Sequence, residues 1–442
     1  MSVVSQDYQY EAEQESIEAS CYRAVIPSQS SSYQLGDRIL IELPHSHQTM
    51  MNTQSSWLNL SMTVSGLTGT NIASNTTDIH MSSIGIYSAI SEINLLSNSS
   101  GYIQQIRNHQ QIMAFLTANN TDFSASFQNS VTNKMPLVSA GNARLNPPET
   151  ISAASGIAQQ NFSIPLLGLL SDSNKQLPIG AINDNLTLEI VLGSDIRNIF
   201  FSSVSSATTV LSGGSATFTA EFDADMITLS DRSYQQVMNA SKDSRGIISW
   251  NGSQIHASND IVSKSNLDSV NKSYISFEVG GVKPSQLLQV WHCGFGTSFG
   301  SGDQWSFGNY QSEDWRVRLG SHVYPPQYVR GTAEFSQSVR GSLGQNAVTQ
   351  YNTVNDSSDT LNYRQLASTN TFVNTSCGGV CYNFEAFYDT SQGIEHKGKQ
   401  MVIESSVQSS GVAAANDIRA CTLKRFTCLY SISPNGEISV SF

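Results

Sequence analysis

An all-β fold is what this sequence predicts, on three observations. Charged residues make up 13% of the chain, about half the ~25% of an average globular protein, too few for long salt-bridged helices. About one residue in six is serine and 31 are glycine, a composition that suits strands joined by turns. Short apolar runs that alternate at period two, most of them bounded by Gly, Pro or polar turn residues, recur along the chain. The 39% hydrophobic and 9% aromatic content argues against a disordered chain. A length of 442 residues gives room for two or three cores.

The elements follow in order. Residues 38–43 read Arg-Ile-Leu-Ile-Glu-Leu between Gly36-Asp37 and Pro44, a turn-bounded strand; residues 57–64 alternate apolar and polar over most of their length. Strands are also expected at 186–192, closed by Gly193, and at 216–222, shortly after Gly213 and Gly214. The second half adds 274–279, 287–291, 315–319, 401–407, 426–432 and 438–442. Two short helices interrupt the series. Residues 101–116 place Ile103, Ile106, Gln110, Met113 and Leu116 at three- and four-residue spacing, with Ser99 or Ser100 as a cap. Ser230 and Asp231 open a helix that carries Tyr234, Val237 and Met238. The Ser/Thr/Gly-rich stretch 195–214 reads as a long loop, and the polar stretch 238–272 as a linker or surface loop. A boundary near residue 240 leaves two units of sandwich size.

The net charge of −12 bears on partners. Asp7, Glu11, Glu13, Glu15 and Glu18 precede the first basic residue, Arg23, which excludes a basic arm that would neutralise a nucleic acid and the positive start of a signal peptide. The densest apolar run, Ile164 to Leu170, is broken by Pro165 and Gly168 and is far short of a membrane span.

Several short patterns invite a chemical reading, and each has a blander one that fits better. Gly393-Ile-Glu-His-Lys-Gly-Lys399 has P-loop spacing, but Gln400 stands where the magnesium-binding hydroxyl belongs and a strand follows instead of a helix. Gly296-Thr-Ser-Phe-Gly300 spells a nucleophile elbow around Ser298 without a convincing helix after it. His45 and His47 could pair on a metal but lack a nameable third ligand. Asp223, Asp225, Glu313 and Asp314 are the carboxylates from which a glycosidase pair would be drawn; acidic residues at strand ends are usually solvated. Trp250, Trp291, Trp305 and Trp315 cluster in the second half and, with few basic residues among them, suit a core or a subunit interface better than a base-stacking platform. Sequons such as those at Asn59, Asn98, Asn185 and Asn374 arise by chance in so Asn- and Ser-rich a chain. Of the six cysteines, Cys377 and Cys381 form the one close pair, open to a local disulfide or half a zinc site, and Cys421 and Cys428 are the only other zinc candidates. Cys21 and Cys293 stand alone.

The order of several segments carries a resemblance. The apolar run at 90–96, the Ser/Gly turn at 97–101 and Ile103-Gln104-Gln105-Ile106 come first. Then follow the Pro-Leu stretch at 162–170, the Leu177-Pro178-Ile179-Gly180 turn, the strand at 186–192, and the strand and helix at 221–238. Arg316 to Ser321 with Tyr324, Pro325 and Pro326, and the closing hairpin at 429–442, complete it. Together these resemble the double jelly-roll major capsid proteins of icosahedral DNA viruses, above all the smaller hexon proteins of virophages, polinton-like viruses and adintoviruses.

The resemblance implies an all-β chain of two jelly-roll β-sandwiches in tandem, with a few short helices in connecting loops. It divides the chain into an acidic N-terminal arm at 1–35, a first jelly roll at 36–240 and a second at 241–442. It implies a homotrimer that forms a pseudo-hexameric capsomer and tiles an icosahedral shell, assembled inside the host cell and located in the virion. Expected partners are the chain itself, neighbouring trimers, penton and minor capsid or cement proteins, and an inner membrane or membrane-associated capsid protein. No catalysis, cofactor, metal or sequence-specific nucleic-acid binding is implied. The acidic arm is expected on the inner face, clasping a neighbour, and the long polar stretches 119–156 and 351–379 as outward towers. Competing readings are a trimeric viral fibre or receptor-binding β-protein, a tailspike-like glycan hydrolase, and a single jelly roll with a projecting domain.

Overall fold

The computed structural model describes residues 19–70, 79–82, 84–119, 158–170, 176–202, 210–263, 273–279, 286–296, 305, 312–330, 334, 337, 380–384, 393–407 and 418–442. Before residue 230 the strands are β1 (Ala19–Pro27), β2 (Tyr33–Gln34), β3 (Arg38–Glu42), β4 (Thr49–Thr70), β5 (Ile79–Met81), β6 (Ile90–Ser97), β7 (Gly101–Arg107), β8 (Ala158–Pro165), β9 (Leu186–Leu192), β10 (Phe200–Ser202) and β11 (Val210–Leu229). Helix α1 (His109–Asn119) follows β7, and α2 (Asp231–Ser241) follows β11. After α2 come β12 (Ile248–Val262), β13 (Ser273–Val279), β14 (Gln286–Gly296), β15 (Ser312–Leu319), β16 (His322–Arg330), β17 (Val380–Asn383), β18 (Ile394–Glu395), β19 (Met401–Val407), β20 (Ile418–Ile432) and β21 (Ile438–Ser441).

Four larger sheets result. The first half builds β1-β11-β4-β8, with β2 added to β11, and β3-β9-β6-β7; β5 and β10 form a small ribbon. The second half builds β12-β20-β14-β17, with β18 and β21 added, and β13-β19-β15-β16. Among the described residues, every strand pair is antiparallel and joins strands of the same half.

The alternation that predicts the long strands is the alternation that fills the core. On β11, Ala216, Phe218, Ala220, Phe222, Ala224 and Met226 point inward. On β4 the buried set changes phase, from Met51 and Thr53 to Ser56, Leu58, Leu60, Met62 and Val64. The shift coincides with an irregularity in the β4–β11 ladder between Asp223 and Asp225, where extra residues on one strand turn its side chains over. Ser56 stitches the irregularity: its hydroxyl donates to Asn52 O at 2.7 Å and accepts from Asp225 N at 3.2 Å.

Four segments differ from what the sequence predicts. The helix expected over 101–116 begins only at His109, and residues 101–107 form β7 in a hairpin with β6. The ladder slips between Leu95/Gln104 and Leu96/Tyr102, so β7 carries one extra residue. Buried Ile103 and Ile106 therefore stand three apart within a strand and imitate helical spacing. Asn108, in the left-handed region at φ 55°, separates strand from helix. The polar stretch 238–272 contains β12, which runs along β20 for its whole length; as the edge of its sheet it tolerates polar residues on both faces. The stretch 195–214 contributes β10 and the start of β11. The Tyr-Pro turn is not a turn: Gly320, at φ 60°, and Ser321 connect β15 to β16, and Tyr324-Pro325, a cis peptide, lies within β16.

Helix α2 agrees with expectation. Ser230 caps it, its hydroxyl accepting from Ser233 N at 3.4 Å, and Tyr234 and Met238 are buried one turn apart. Residues 1–18 lie outside the described residues, whereas 19–27 form β1, whose Arg23 pairs with the buried Asp223 of β11.

Candidate functional site

The residues singled out for chemistry are scattered over the fold. Ser298, Cys377 and the tower segments 120–156 and 351–379 lie outside the described residues. His45 and His47 sit in the connection between β3 and β4, with His47 edge-on to Tyr234. The P-loop look-alike resolves into β18, a turn and β19, with Lys399 Nζ donating to Glu395 O at 3.0 Å; without a helix there is no fan of N–H groups for a phosphate. Asp223 and Asp225 share β11. The first is held by Arg23 and by Asn59 Nδ2 at 3.2 Å, the second by Asn52 Nδ2 at 3.2 Å and Ser55 Oγ at 2.5 Å. Glu313 and Asp314 belong to β15 in a different sheet. Among the described residues no group of three or more His, Cys, Asp or Glu is placed to hold a metal.

What the structure assembles is a seam between its halves. Sheet β12-β20-β14-β17 is buried on both faces. Leu287, Val290 and Ala420 face β13-β19-β15-β16 in one core. Trp291, Cys293, Cys421, Leu423, Cys428 and Tyr430 join the larger core that continues into the first half. Trp291 stacks on Phe115 of α1 with ring centroids 5.2 Å apart and planes 12° from parallel. Gln254 of β12 donates to Ile103 O of β7 at 2.9 Å, and Trp305 Nε1 donates to Asn198 O at 2.9 Å. The Cys421 thiol lies 3.5 Å from Gln111 Oε1 of α1. At one end the turn between β20 and β21 accepts two hydrogen bonds from Asn183, from its N–H to Gly436 O and from its Nδ2 to Asn435 O, each 2.9 Å. Gly436 has φ 83°, and a Cβ there would meet Asn183 at 2.7 Å.

No protein-family model and no curated protein matches the chain by sequence. Solved structures match it by shape. PBCV-1 VP54, as fitted into a reconstruction of the virophage Sputnik, superposes with a TM-score of 0.65 at 10% identity, over 97% of this chain and 98% of that one. A chain of the Sputnik virophage structure gives 0.61 at 13% identity, over 96% and 88%. The mavirus major capsid protein gives 0.53 at 11% identity, over 95% and 90%. The chain is a double jelly roll.

The sheets of β1 to β11 lie in its first half and those of β12 to β21 in its second, and the seam is where one double sheet leans on the other. The tryptophans of the double jelly roll serve packing: Trp315 is fully buried in the second roll, Trp291 and Trp305 line the seam, and Trp250 stacks on Tyr430. Both rolls carry large apolar side chains on outward edges, Tyr22 and Val25 on β1 and Ile261 on β12, the last 67% exposed. Sequence reasoning missed the seam. Its signal is present in β20, where residues 420–424 are buried without a break, the mark of a strand covered on both faces. Lys424 and Thr422 within that run disguise it.

Proposed function

We propose that this double jelly roll is the major capsid protein of an icosahedral DNA virus, located in the capsid shell and without a catalytic role. The observation that carries the reading is the superposition of nearly the whole chain on nearly the whole of capsid chains from PBCV-1, Sputnik and mavirus. The domain division follows the same reading: an N-terminal arm at 1–35, whose residues 19–34 add β1 and β2 to the first sheet, a first roll at 36–240 and a second at 241–442. Support for the boundary comes from strand pairing, which stays within each half among the described residues.

Three chains form a pseudo-hexameric block, because two rolls per chain give six barrels around a threefold axis. The partners are copies of the chain, neighbouring blocks, and the penton and minor capsid proteins that complete a shell, together with an inner membrane or a membrane-associated protein beneath it. A chain with a net charge of −12 leaves genome condensation to other components. Light scattering on the purified protein tests the reading: three times 48.0 kDa, or 144 kDa, with hexagonal outlines in negative stain, is expected. A compact monomer of 48.0 kDa that stays monomeric in the presence of the shell's other proteins overturns it.

A further inference from the structure

Two cysteines that are 128 positions apart in the chain face each other across the second roll: Cys293 on β14 and Cys421 on β20 are direct partners in the antiparallel ladder. Directly opposed residues in such a ladder have Cα atoms about 4.5–5.5 Å apart, inside the ~4.4–6.8 Å that a disulfide spans. Both side chains join the core cluster at the seam and are at most 1% exposed. Both are free cysteines, and the Cys421 thiol has its hydrogen-bond contact with Gln111 Oε1 at 3.5 Å. Cys381 and Cys428 have other ladder partners, Trp291 and Gly252.

We propose that Cys293 and Cys421 are an oxidation site that closes into a cross-strand disulfide, with a low-molecular-weight disulfide as the oxidant. One thiolate attacks a sulfur of the small disulfide and expels one small thiol, leaving a mixed disulfide on the protein. The second thiolate attacks the protein sulfur of that mixed disulfide and expels the other small thiol. Two protein thiols and one small disulfide thus become one protein disulfide and two small thiols, with electrons and protons balanced. Burial holds the Cys293 thiol well above its ordinary pKa, so the pair reacts slowly in the closed protein and Cys21, which is exposed, reacts first. The chemistry stands apart from the capsid reading. If that reading holds, a shell leaving the reducing cytosol meets the conditions that favour closure. The bond would tie β14 to β20, the two strands that present Trp291 and Leu423 to the first roll.

The experiment uses the full chain carrying Cys21→Ser and Cys377→Ser, so that neither thiol captures the reagent, links molecules or pairs with Cys381. The reduced protein is incubated with hydroxyethyl disulfide, free thiols are alkylated under denaturing conditions, and the digest is mapped by mass spectrometry without reduction. Expected are a peptide joining Cys293 to Cys421, a mass loss of about 2 Da from the two thiol hydrogens, and a Tm raised by about 5 °C. Dithiothreitol should reverse all three, and Cys293→Ser should abolish them. Both cysteines recovered fully alkylated, or a linked protein whose Tm is lowered, overturns the proposal. The oxidised and reduced forms of the same protein carry the comparison, so it does not depend on the folding of the serine variant.

Discussion

His109, His256 and His292 are held as neutral imidazoles inside this protein. Burial lowers their pKa values to about 4, about 4 and about 3, and for His256 the neighbouring charges of Lys424 and Arg107 add to the effect. His292 shares a hydrogen bond of 2.8 Å with Thr422 Oγ1 and lies against the Phe277 ring. In the unfolded chain each would take up a proton near pH 6.5, so below that pH the unfolded state binds more protons and stability rises with pH. The stability these groups contribute is complete above about pH 6.5 and is lost as the pH falls toward 4. Thermal melts from pH 7.5 to 4 should show Tm falling steadily through that window, each histidine steepening the fall by about 1.4 kcal/mol per pH unit. A flat profile would contradict the burial. A second residue-scale prediction concerns Gly436. Its left-handed backbone and its contact with Asn183 leave no room for a methyl group, and Gly436→Ala should cost about 2 kcal/mol, measured by urea unfolding.

Among the elements, the two-faced sheet of the second roll contributes side chains to both cores. Trp291 is 2% exposed and stacked on Phe115. Trp291→Ala should destabilise the chain by about 3–5 kcal/mol, with Trp291→Phe recovering much of the loss; equilibrium denaturation followed by circular dichroism measures both. Ser56→Ala, which removes both stitches of the β4 irregularity, should cost about 1–2 kcal/mol in the same assay. These elements also mark what a sequence discloses. Strands that hold to period two from start to finish, such as residues 186–192 and 216–222, are legible because each faces one core. Residues 101–107 were not, because one inserted residue gave a strand the spacing of a helix. Residues 248–262 were not, because an edge strand has no apolar face to keep. The seam was hidden for a different reason: Phe115 with Trp291, and Gln111 with Cys421, meet only after the rolls have folded, and no local pattern encodes a contact between residues so far apart. The bland readings of the P-loop look-alike and the tryptophans stand in the structure as a turn before a strand and as packing residues.

At the scale of the whole molecule, the exposed edges β1 and β12 are where copies should meet. Val25 and Ile261 are 55% and 67% exposed and take no part in either core, so replacing both with aspartate should leave Tm almost unchanged. With the proposed trimer, the same change should lower the mass in solution from 144 kDa (three chains) to 48.0 kDa (one chain). Removing residues 1–18 should leave that oligomer intact and weaken the assembled shell, read as release of subunits at lower denaturant. A sheet covered on both sides has one more consequence, for how the chain is made. The ribosome delivers the first roll well before β14 and β20 exist, so Phe115 and its neighbours emerge as an apolar surface awaiting a partner that is still being translated. Until the last strand but one has been synthesised, the nascent chain exposes this adhesive face. Its yield is then set by whatever shields that face during synthesis, and a ribosome-stalled fragment ending near residue 240 should be found bound to chaperones.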